Sequence, residues 1–119
     1  MGIKLFDSEL NIMEILWRDG DTTAKRIAEI TKEKVGWSKT TTYTIIKKCL
    51  DKGAIERQEP HFVCHALVTR EQVQEQETTE LINKMYDGAP DRLIASLLGQ
   101  KRLTIEEINR LKRLIESLE

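Results

Sequence analysis

The sequence predicts a mainly α-helical protein with one small β-hairpin. Three short segments with apolar residues at helical spacing are each bounded by a capping residue and a glycine, and a strand-like pair follows them directly. After that pair, two capping boxes and a proline at a helix start indicate three more helices. We therefore expect an N-terminal domain at residues 1–69 and a three-helix domain at residues 70–119.

The first two helices are marked by polar caps and glycines. Asp7 or Ser8 is expected to cap the first helix, and the run Asp19–Asp21, with its central glycine, ends it. Thr22-Thr23 then caps a second helix, which stops near Gly36. The connections between these helices are short.

The third helix, within WSKTTTYTIIKKCLDKG, has two different sides. Ser38 is a good N-cap and Gly53 a good residue to follow the last turn. At 100° per residue, one side of the helix is an apolar back that carries Ile45, Ile46, Cys49 and Leu50, together with Thr42. The other side, called here the polar front, consists of Thr40, Tyr43, Thr44, Lys47 and Asp51, flanked by Thr41 and Lys48.

A β-hairpin is predicted directly after the third helix. Residues 54–58 and residues 61–68 have strand composition, and Glu59-Pro60 resembles a turn between them. Three helices followed by a hairpin is the order of elements in a winged helix-turn-helix domain, in which the third helix enters the DNA major groove.

The remaining residues predict three helices that cannot form a good core alone. Capping boxes at Thr69–Gln72 and Thr104–Glu107 start the first and last of them, and Pro90 starts the middle one. A segment of about 50 residues buries too little apolar surface for independent stability. We therefore expect a homodimer in which apolar residues of this part meet a second copy: Leu81, Met85, Leu93, Leu97, Ile108, Leu111, Ile115 and Leu118.

The chemistry of the polar front suits double-stranded DNA. Hydroxyl groups can donate or accept at base edges and phosphates, threonine methyls can meet thymine methyls, and lysine reaches guanine or phosphate. β-Branched residues also keep few rotamers in a helix, so the contacting groups are held in place before binding. The residues predicted to contact DNA are Ser38, Lys39, Thr40, Thr41, Tyr43, Thr44, Lys47 and Lys48, with Arg57 and His61 from the wing. For Arg57 and His61, an idle position on the surface is an equally good interpretation.

With these residues in view, the chain resembles the penicillinase repressor family, also called the BlaI/MecI/CopY family. The segment LFDSELNIMEILW resembles the first helix of that family. Gly36–Ser38, Thr41, Thr44 and the Lys52–Ala54 turn match its recognition segment without a gap. The resemblance implies a homodimeric transcriptional repressor that binds a palindromic operator, with β-lactam resistance or copper-handling genes as frequent targets in the family.

The sequence departs from the family pattern in three places. Thr42 stands where an apolar residue is usual, and Tyr43 stands at a base-reading position, so the operator can differ. β-Lactam-responsive members are cut by a membrane sensor-protease at an Asn-Phe bond, and Ser96-Leu97 aligns there. Copper-responsive members end in a cysteine-rich tail, whereas residues 100–119 contain no cysteine. The inducing signal therefore stays open.

Other function classes have weaker support in the sequence. His61 and His65, without a third ligand on the same strand face, make a poor metal site, and we expect Cys64 to point into the core. No catalytic constellation occurs, so we expect neither an enzyme nor a cofactor. The alternatives are a winged-helix sensor of a small ligand or metal, and a protein-interaction module without DNA binding.

Composition sets the remaining expectations. Cys49 and Cys64 show no CxxC spacing, which favours reduced thiols. No apolar run approaches the roughly 20 residues of a membrane span, and no signal-peptide pattern occurs, so we expect a cytoplasmic protein without membrane insertion. Residues 1–70 carry 12 Lys and Arg against 10 Asp and Glu, whereas residues 71–119 carry 7 against 10. The small positive excess thus lies in the part predicted to bind DNA.

Overall fold

A computed structural model describes residues 2–118 and confirms the predicted fold class. The chain forms two compact units, one through Gln76 and one from Glu77 onward. The elements are α1 (Asp7–Asp19), β1 (Thr22–Thr23), α2 (Ala24–Val35), α3 (Lys39–Asp51), β2 (Ile55–Gln58), β3 (Val63–Ala66), α4 (Arg70–Met85), α5 (Pro90–Gly99) and α6 (Ile105–Glu116).

The predicted cap of α1 is wrong by one residue. Phe6, and neither Asp7 nor Ser8, occupies the N-cap position in extended conformation. Its backbone N–H donates to Glu9 Oε1 at 2.7 Å, so a side chain from the first turn satisfies the amide that precedes the helix. Asp7 and Glu9 then lie in the first turn, where negative charge favours the helix dipole.

Thr22 and Thr23 do more than cap α2. The Thr23 hydroxyl accepts the backbone N–H of Arg26 at 3.1 Å, as predicted for a cap. Both threonines also form strand β1, which pairs antiparallel with β3 through Thr22 opposite Cys64 and Thr23 opposite Val63. The sheet therefore has three strands in the order β1-β3-β2, and the sequence predicted only two of them.

The two ends of α3 are as predicted. Ser38 Oγ accepts the N–H of Thr41 at 3.1 Å. At the other end, the N–H groups of Gly53 and Ala54 bond the carbonyls of Leu50 and Cys49, and Gly53 has a φ of 77°. This is a Schellman ending, which favours glycine because other residues are strained at positive φ.

The wing is shorter than the sequence predicts. Its second strand was expected at residues 61–68, but β3 covers only Val63–Ala66. His61 and Phe62 have φ angles of 74° and 52°, which are incompatible with a strand, so they belong to the turn with Glu59 and Pro60. The hairpin register places Gln58 opposite Val63 and Arg57 opposite Cys64.

The core of the first unit is assembled from α1, α2, α3 and the sheet. Its fully buried apolar side chains include Ile12, Met13, Ile27, Ile46, Cys49, Ile55 and Cys64. The predictions that Cys49 and Cys64 are core residues are therefore confirmed. Trp17 and Trp37 pack against this core, and Trp17 Nε1–H donates to the Val68 carbonyl at 2.9 Å.

Thr42 is part of the buried back of α3. Its side chain is fully buried, and its hydroxyl lies 2.6 Å from that of Thr31 on α2, which is buried as well. Thr31 Oγ1 also lies 3.3 Å from the Ala28 carbonyl. A buried hydroxyl needs a partner because it has given up its bonds to water. Thr42 thus provides a hydrogen-bond partner for the Thr31 hydroxyl on α2 and faces away from the polar front.

The helices of the second unit begin as predicted. Thr104 and Glu107 form a reciprocal capping box, and Pro90 starts α5. Among the described residues from Glu77 onward, no side chain is classed as buried. Large apolar side chains are left substantially exposed: Leu81, Met85, Ile94, Leu98, Ile105, Leu114, Ile115 and Leu118.

We predict that the Thr31–Thr42 contact is a stabilising pair with strong coupling. Thr42→Val keeps the shape of the side chain but removes the buried hydrogen bond between the two hydroxyls and leaves Thr31 only the Ala28 carbonyl, at a cost of about 0.5–1.5 kcal/mol in unfolding free energy. The double variant, with valine at both positions, should cost less than the sum of the single changes. Urea denaturation of the four proteins measures the coupling.

Thr40→Val is the matched control, since it makes the same change at an exposed position of the same helix and should alter stability by less than about 0.5 kcal/mol. Additive effects of the two buried changes would show that the two hydroxyls do not interact.

Candidate nucleic-acid interface

The polar front of α3 is open to solvent, as its predicted role requires. Lys39, Thr40, Thr44 and Lys47 are exposed, and Tyr43 is half-buried. Together these five side chains surround one shallow, open groove on the protein surface. The structure therefore brings together four of the five residues that the sequence placed on this face, all except Asp51, and adds Lys39 to them. Ser38, Thr41 and Lys48 are exposed beside it.

The hydroxyls of this face are held by local hydrogen bonds that leave lone pairs free. Thr44 Oγ1 donates to the Thr40 carbonyl at 3.0 Å, which fixes its rotamer and directs its acceptor side outward. Ser38 Oγ donates to Thr41 Oγ1 at 3.0 Å while it accepts the Thr41 N–H. Hydroxyls oriented before binding lose little conformational entropy when they contact DNA.

The lysines of this face are held only weakly. Lys47 Nζ lies 3.1 Å from Asp51 Oδ2, but both side chains are mostly exposed. Exposed ion pairs contribute about 0–1 kcal/mol, so a phosphate can replace the aspartate with little loss. Lys39 Nζ lies 5.7 Å from the ring centre of Tyr43, in the range of a cation–π contact.

The two predicted wing residues lie in different surroundings. Arg57 on β2 forms an ion pair with Glu59 through its Nε and covers the ring of Phe62 with its guanidinium, 3.7 Å from the ring centre. The pKa of Glu59 is lowered, first by the hydrogen bond from Arg57. His61 lies exposed in the turn of the wing, next to Pro60. The structure thus places Arg57 within strand β2, one residue before its end, and His61 in the turn that follows.

Phe62 links the wing to the polar front, a role that the sequence did not predict. Its ring meets that of Tyr43 edge to face, with 5.9 Å between the ring centres and 70° between the planes. Lys39, Tyr43, Phe62 and Arg57 therefore form one continuous series of ring and cation contacts, called here the aromatic row. The signal available in the sequence was an aromatic residue beside a proline turn.

His65 fastens β3 to the turn before β1. Its Nδ1 lies 2.7 Å from Asp21 Oδ1, and both side chains are about half exposed. The hydrogen bond with Asp21 raises the pKa of His65, and the charges of Asp21 and of Glu56, which is opposite on β2, raise it further. One ring nitrogen of His65 is thus already engaged within the protein.

Three other candidate sites are a metal-ligand cluster, the two cysteine thiols and the Ser96-Leu97 bond. Within residues 2–118, no group of three or more His, Cys, Asp or Glu side chains could hold a metal ion. Burial raises the pKa of the Cys49 thiol to about 12 and that of Cys64 to about 11, which keeps both protonated at neutral pH. Ser96 and Leu97 lie within α5, where the Ser96 hydroxyl accepts from Gln100 Nε2 at 2.9 Å.

The side chains expected to form a dimer interface are incompletely covered. Leu93, Leu97, Ile108 and Leu111 are half-buried, whereas Leu81, Met85, Ile115 and Leu118 are 44–85% exposed. On α6, residues 108, 111 and 115 follow the 3-4 spacing of one helix face. No helix among residues 2–118 is long and apolar enough to cross a lipid bilayer.

Comparison with known proteins gives a match over nearly the whole chain. The family model described as "Penicillinase repressor" matches residues 5–117. The "Methicillin resistance regulatory protein MecI" of Staphylococcus aureus (strain N315) is 25% identical over 114 residues, covering 94% of this chain and 93% of that protein. The "Penicillinase repressor" of Bacillus licheniformis is 23% identical over 115 residues, covering 95% and 90%.

A solved structure, that of a MarR family regulator from Neisseria meningitidis, has a TM-score of 0.42 and 20% sequence identity. The match covers 97% of this chain and 82% of that one.

We predict that the His65–Asp21 contact makes stability depend on pH. Because the folded pKa of His65 is raised, its stabilisation is complete below the unfolded pKa of about 6.5 and is lost as pH rises through the folded pKa. His65→Gln should therefore lower the urea midpoint more at about pH 5.5 than at about pH 8.5. Asp21→Asn should remove the same pH dependence, and an equal loss at both pH values would contradict the assignment.

Proposed function

This chain belongs to the penicillinase repressor family, and on that premise we propose that it is a homodimeric repressor of transcription. Two winged-helix units of the dimer bind the half-sites of a palindromic operator. In each unit, α3 enters the major groove through its polar front, and the wing lies along the adjacent backbone.

The division of α3 into a buried back and an open front is the observation that carries this proposal. Ile45, Ile46 and Cys49 on the back are buried at 0–8% exposure, and Thr42 is bonded to α2. Of the front, only Tyr43 packs against the core, at its edge beside Phe62, and the other side chains are exposed. A surface of hydroxyls and ammonium groups on a firmly fixed helix is suited to direct contact with bases and phosphates.

The distribution of charge on the front favours nucleic acid over an acidic or neutral protein partner. Asp51 lies in the last turn and is paired with Lys47, so the groove-entering first turns carry no carboxylate. A protein-interaction module that had lost DNA binding would be free to place acids there. As a repressor in the cytoplasm, the protein works through binding and catalyses no reaction.

Dimerisation is supported by the exposed apolar side chains of the second unit. Many large apolar side chains left exposed in one unit indicate a surface that another protein covers. We propose that α6 contributes Ile108, Leu111 and Ile115 to the interface, together with Leu118 directly after the helix and further residues from α4 and α5. Coupling two units to two half-sites raises operator affinity far above that of one unit, because the second contact becomes intramolecular.

The names of the relatives suggest the class of target genes. We infer that operators upstream of β-lactam-resistance genes are the first DNA to test, and that a membrane sensor-protease is the partner that would relieve repression by cleavage. The Ser96-Leu97 bond is the cleavage site that resemblance suggests. It lies inside α5, and proteolytic nicking favours exposed loops, so α5 would have to unwind before it could be cut.

The central test is selection of operator DNA. Purified protein is mixed with randomised double-stranded DNA, and bound duplexes are recovered through several rounds. We expect a palindromic sequence to emerge, with binding that falls steeply as salt rises because phosphate contacts release counterions. The proposal fails if no sequence binds better than random competitor at physiological salt.

We predict that Lys47→Ala weakens operator binding. If Lys47 contacts phosphate, affinity falls for all sequences, and the slope of log K against log salt decreases by about 1 for each copy in the dimer. If Lys47 reads a base, the loss of about 1–3 kcal/mol concentrates at one operator position. Titration of single-base-pair operator variants at several salt concentrations distinguishes the two roles.

Lys34→Ala is the matched control, because Lys34 lies at the end of α2 beside α1 residues, lining a small cavity away from the polar front. It removes the same charge and should leave the operator profile unchanged. Equal effects of both variants would indicate a general effect of net charge.

We predict that Ile115→Asp together with Leu118→Asp yields monomers. Charges in an apolar interface would have to be desolvated, which opposes association. Operator affinity should fall by about 100-fold or more, because two linked half-site contacts become independent. Sedimentation analysis measures the mass. Asn109→Asp, which adds a charge to an exposed position of α6, should leave a dimer; an unchanged mass for the double variant would refute the proposed interface.

A further inference from the structure

Phe62 occupies a junction between three elements of the winged helix. Its carbonyl accepts the N–H of Ala24 at 2.9 Å, which connects the wing to the start of α2. The edge-to-face contact with Tyr43 connects it to α3. The guanidinium of Arg57 covers its ring from β2. One residue of the wing turn thus contacts both helices of the helix-turn-helix and the opposite wing strand.

The backbone at this junction is held in a conformation that Phe62 would not adopt freely. Its φ of 52° lies in the left-handed region, and the preceding His61 has a φ of 74°. A bulky residue in this region is uncommon, and such strain persists only where surrounding contacts over-determine it. The three contacts of Phe62 are the surrounding contacts here, and the one with Tyr43 joins its ring to α3.

We propose that Phe62 is a positioning residue that couples the wing to the polar front. Its ring fixes Tyr43 on one side and Arg57 on the other, so that the helix and the wing engage an operator half-site as one unit. Tyr43 is the half-buried member of the front, and its orientation depends on its contact with the ring of Phe62. Phe62 itself touches no DNA and acts through the aromatic row.

The proposal gives Phe62 an influence on sequence selectivity. When Tyr43 loses its support, it can adopt other rotamers, and its contribution to discriminating bases is spread over several poses. Because the ring contact only favours one pose of Tyr43, its loss is expected to change affinity by about twofold to tenfold. That loss is expected at the base pairs near Tyr43 and not across the whole operator.

The experiment compares three variants on the palindromic duplex that the wild-type protein selects, and on its single-base-pair variants. Phe62→Leu should lose discrimination by about twofold to tenfold at the same base pairs that Tyr43→Leu affects. Phe62→Tyr keeps the ring and should retain the wild-type profile. A merely structural role would lower affinity evenly, and urea denaturation shows whether each variant is folded under the binding conditions.

Phe6→Leu is the matched control. Phe6 also carries a cation over its ring, since Lys52 Nζ lies 4.2 Å from the ring centre, but it belongs to the start of α1 and not to the aromatic row. Its substitution should leave the base-pair profile unchanged. The control therefore separates loss of any cation–ring contact from loss of this one.

The inference rests on the proposed DNA-binding function, and the two can fail separately. If the wild-type protein selects a palindrome and Phe62→Leu binds it with the wild-type profile, or loses affinity evenly at all positions, the positioning role is wrong and the repressor function stands. If the wild-type protein selects no sequence, both proposals fall.

Discussion

The ion pair between the buried Glu9 and the half-buried Lys52 is the constraint on which the position of α3 depends. Glu9 is fully buried, and its Oε1 accepts from Lys52 Nζ at 2.6 Å and from the N–H of Phe6 at 2.7 Å. Lys52 Nζ also donates to the Lys4 carbonyl at 2.7 Å. The pair therefore connects the N-terminal segment and the first turn of α1 to Lys52, the residue that directly follows α3. Hydrophobic contacts are non-directional, whereas this pair fixes where the end of the helix must lie.

Because the ion pair and the buried back hold α3 in place, the residues of its polar front can be suited to DNA contact even where their helix propensity is low. Four threonines in five positions cost about 2 kcal/mol of propensity relative to alanine. Burying Ile45 and Ile46 alone contributes about 3–6 kcal/mol, so tertiary packing decides that this segment is helical. The Ser38 cap and the Schellman ending satisfy backbone groups that packing cannot reach. The hydroxyl-rich front is thus compatible with a stable fold because its stability comes from elsewhere.

Local rules predicted the parts of the fold that are determined locally. The caps at Thr23, Ser38, Thr69 and Thr104 follow from side-chain chemistry within four residues, and the buried side of α3 follows from helical periodicity.

Long-range contacts were not predictable in this way. A two-residue strand such as β1 has no periodicity, and it exists only because β3 has an edge to pair with. The composition of residues 61–68 favours a strand, yet tertiary contacts hold Phe62 in a turn. Thr42 was placed correctly on the back, but its hydrogen bond with Thr31 depends on how α2 crosses α3.

The two units differ in how their stability would depend on protein concentration. The first unit has a core of its own, including side chains at 0% exposure from three helices and the sheet. The second unit has apolar side chains that are 44–85% exposed, and none of its described residues is buried.

If the chain forms the proposed dimer, association would bury the apolar surface that the second unit leaves open, so the stability of this unit would rise with protein concentration. The winged helix would meanwhile remain folded at any concentration. Repression would then be lost through separation of the copies before the DNA-binding units unfold, because a single half-site contact is too weak to hold the operator. Any inducing signal that opens the dimer would thus act without disturbing the ion pair and the core that keep α3 ready to bind.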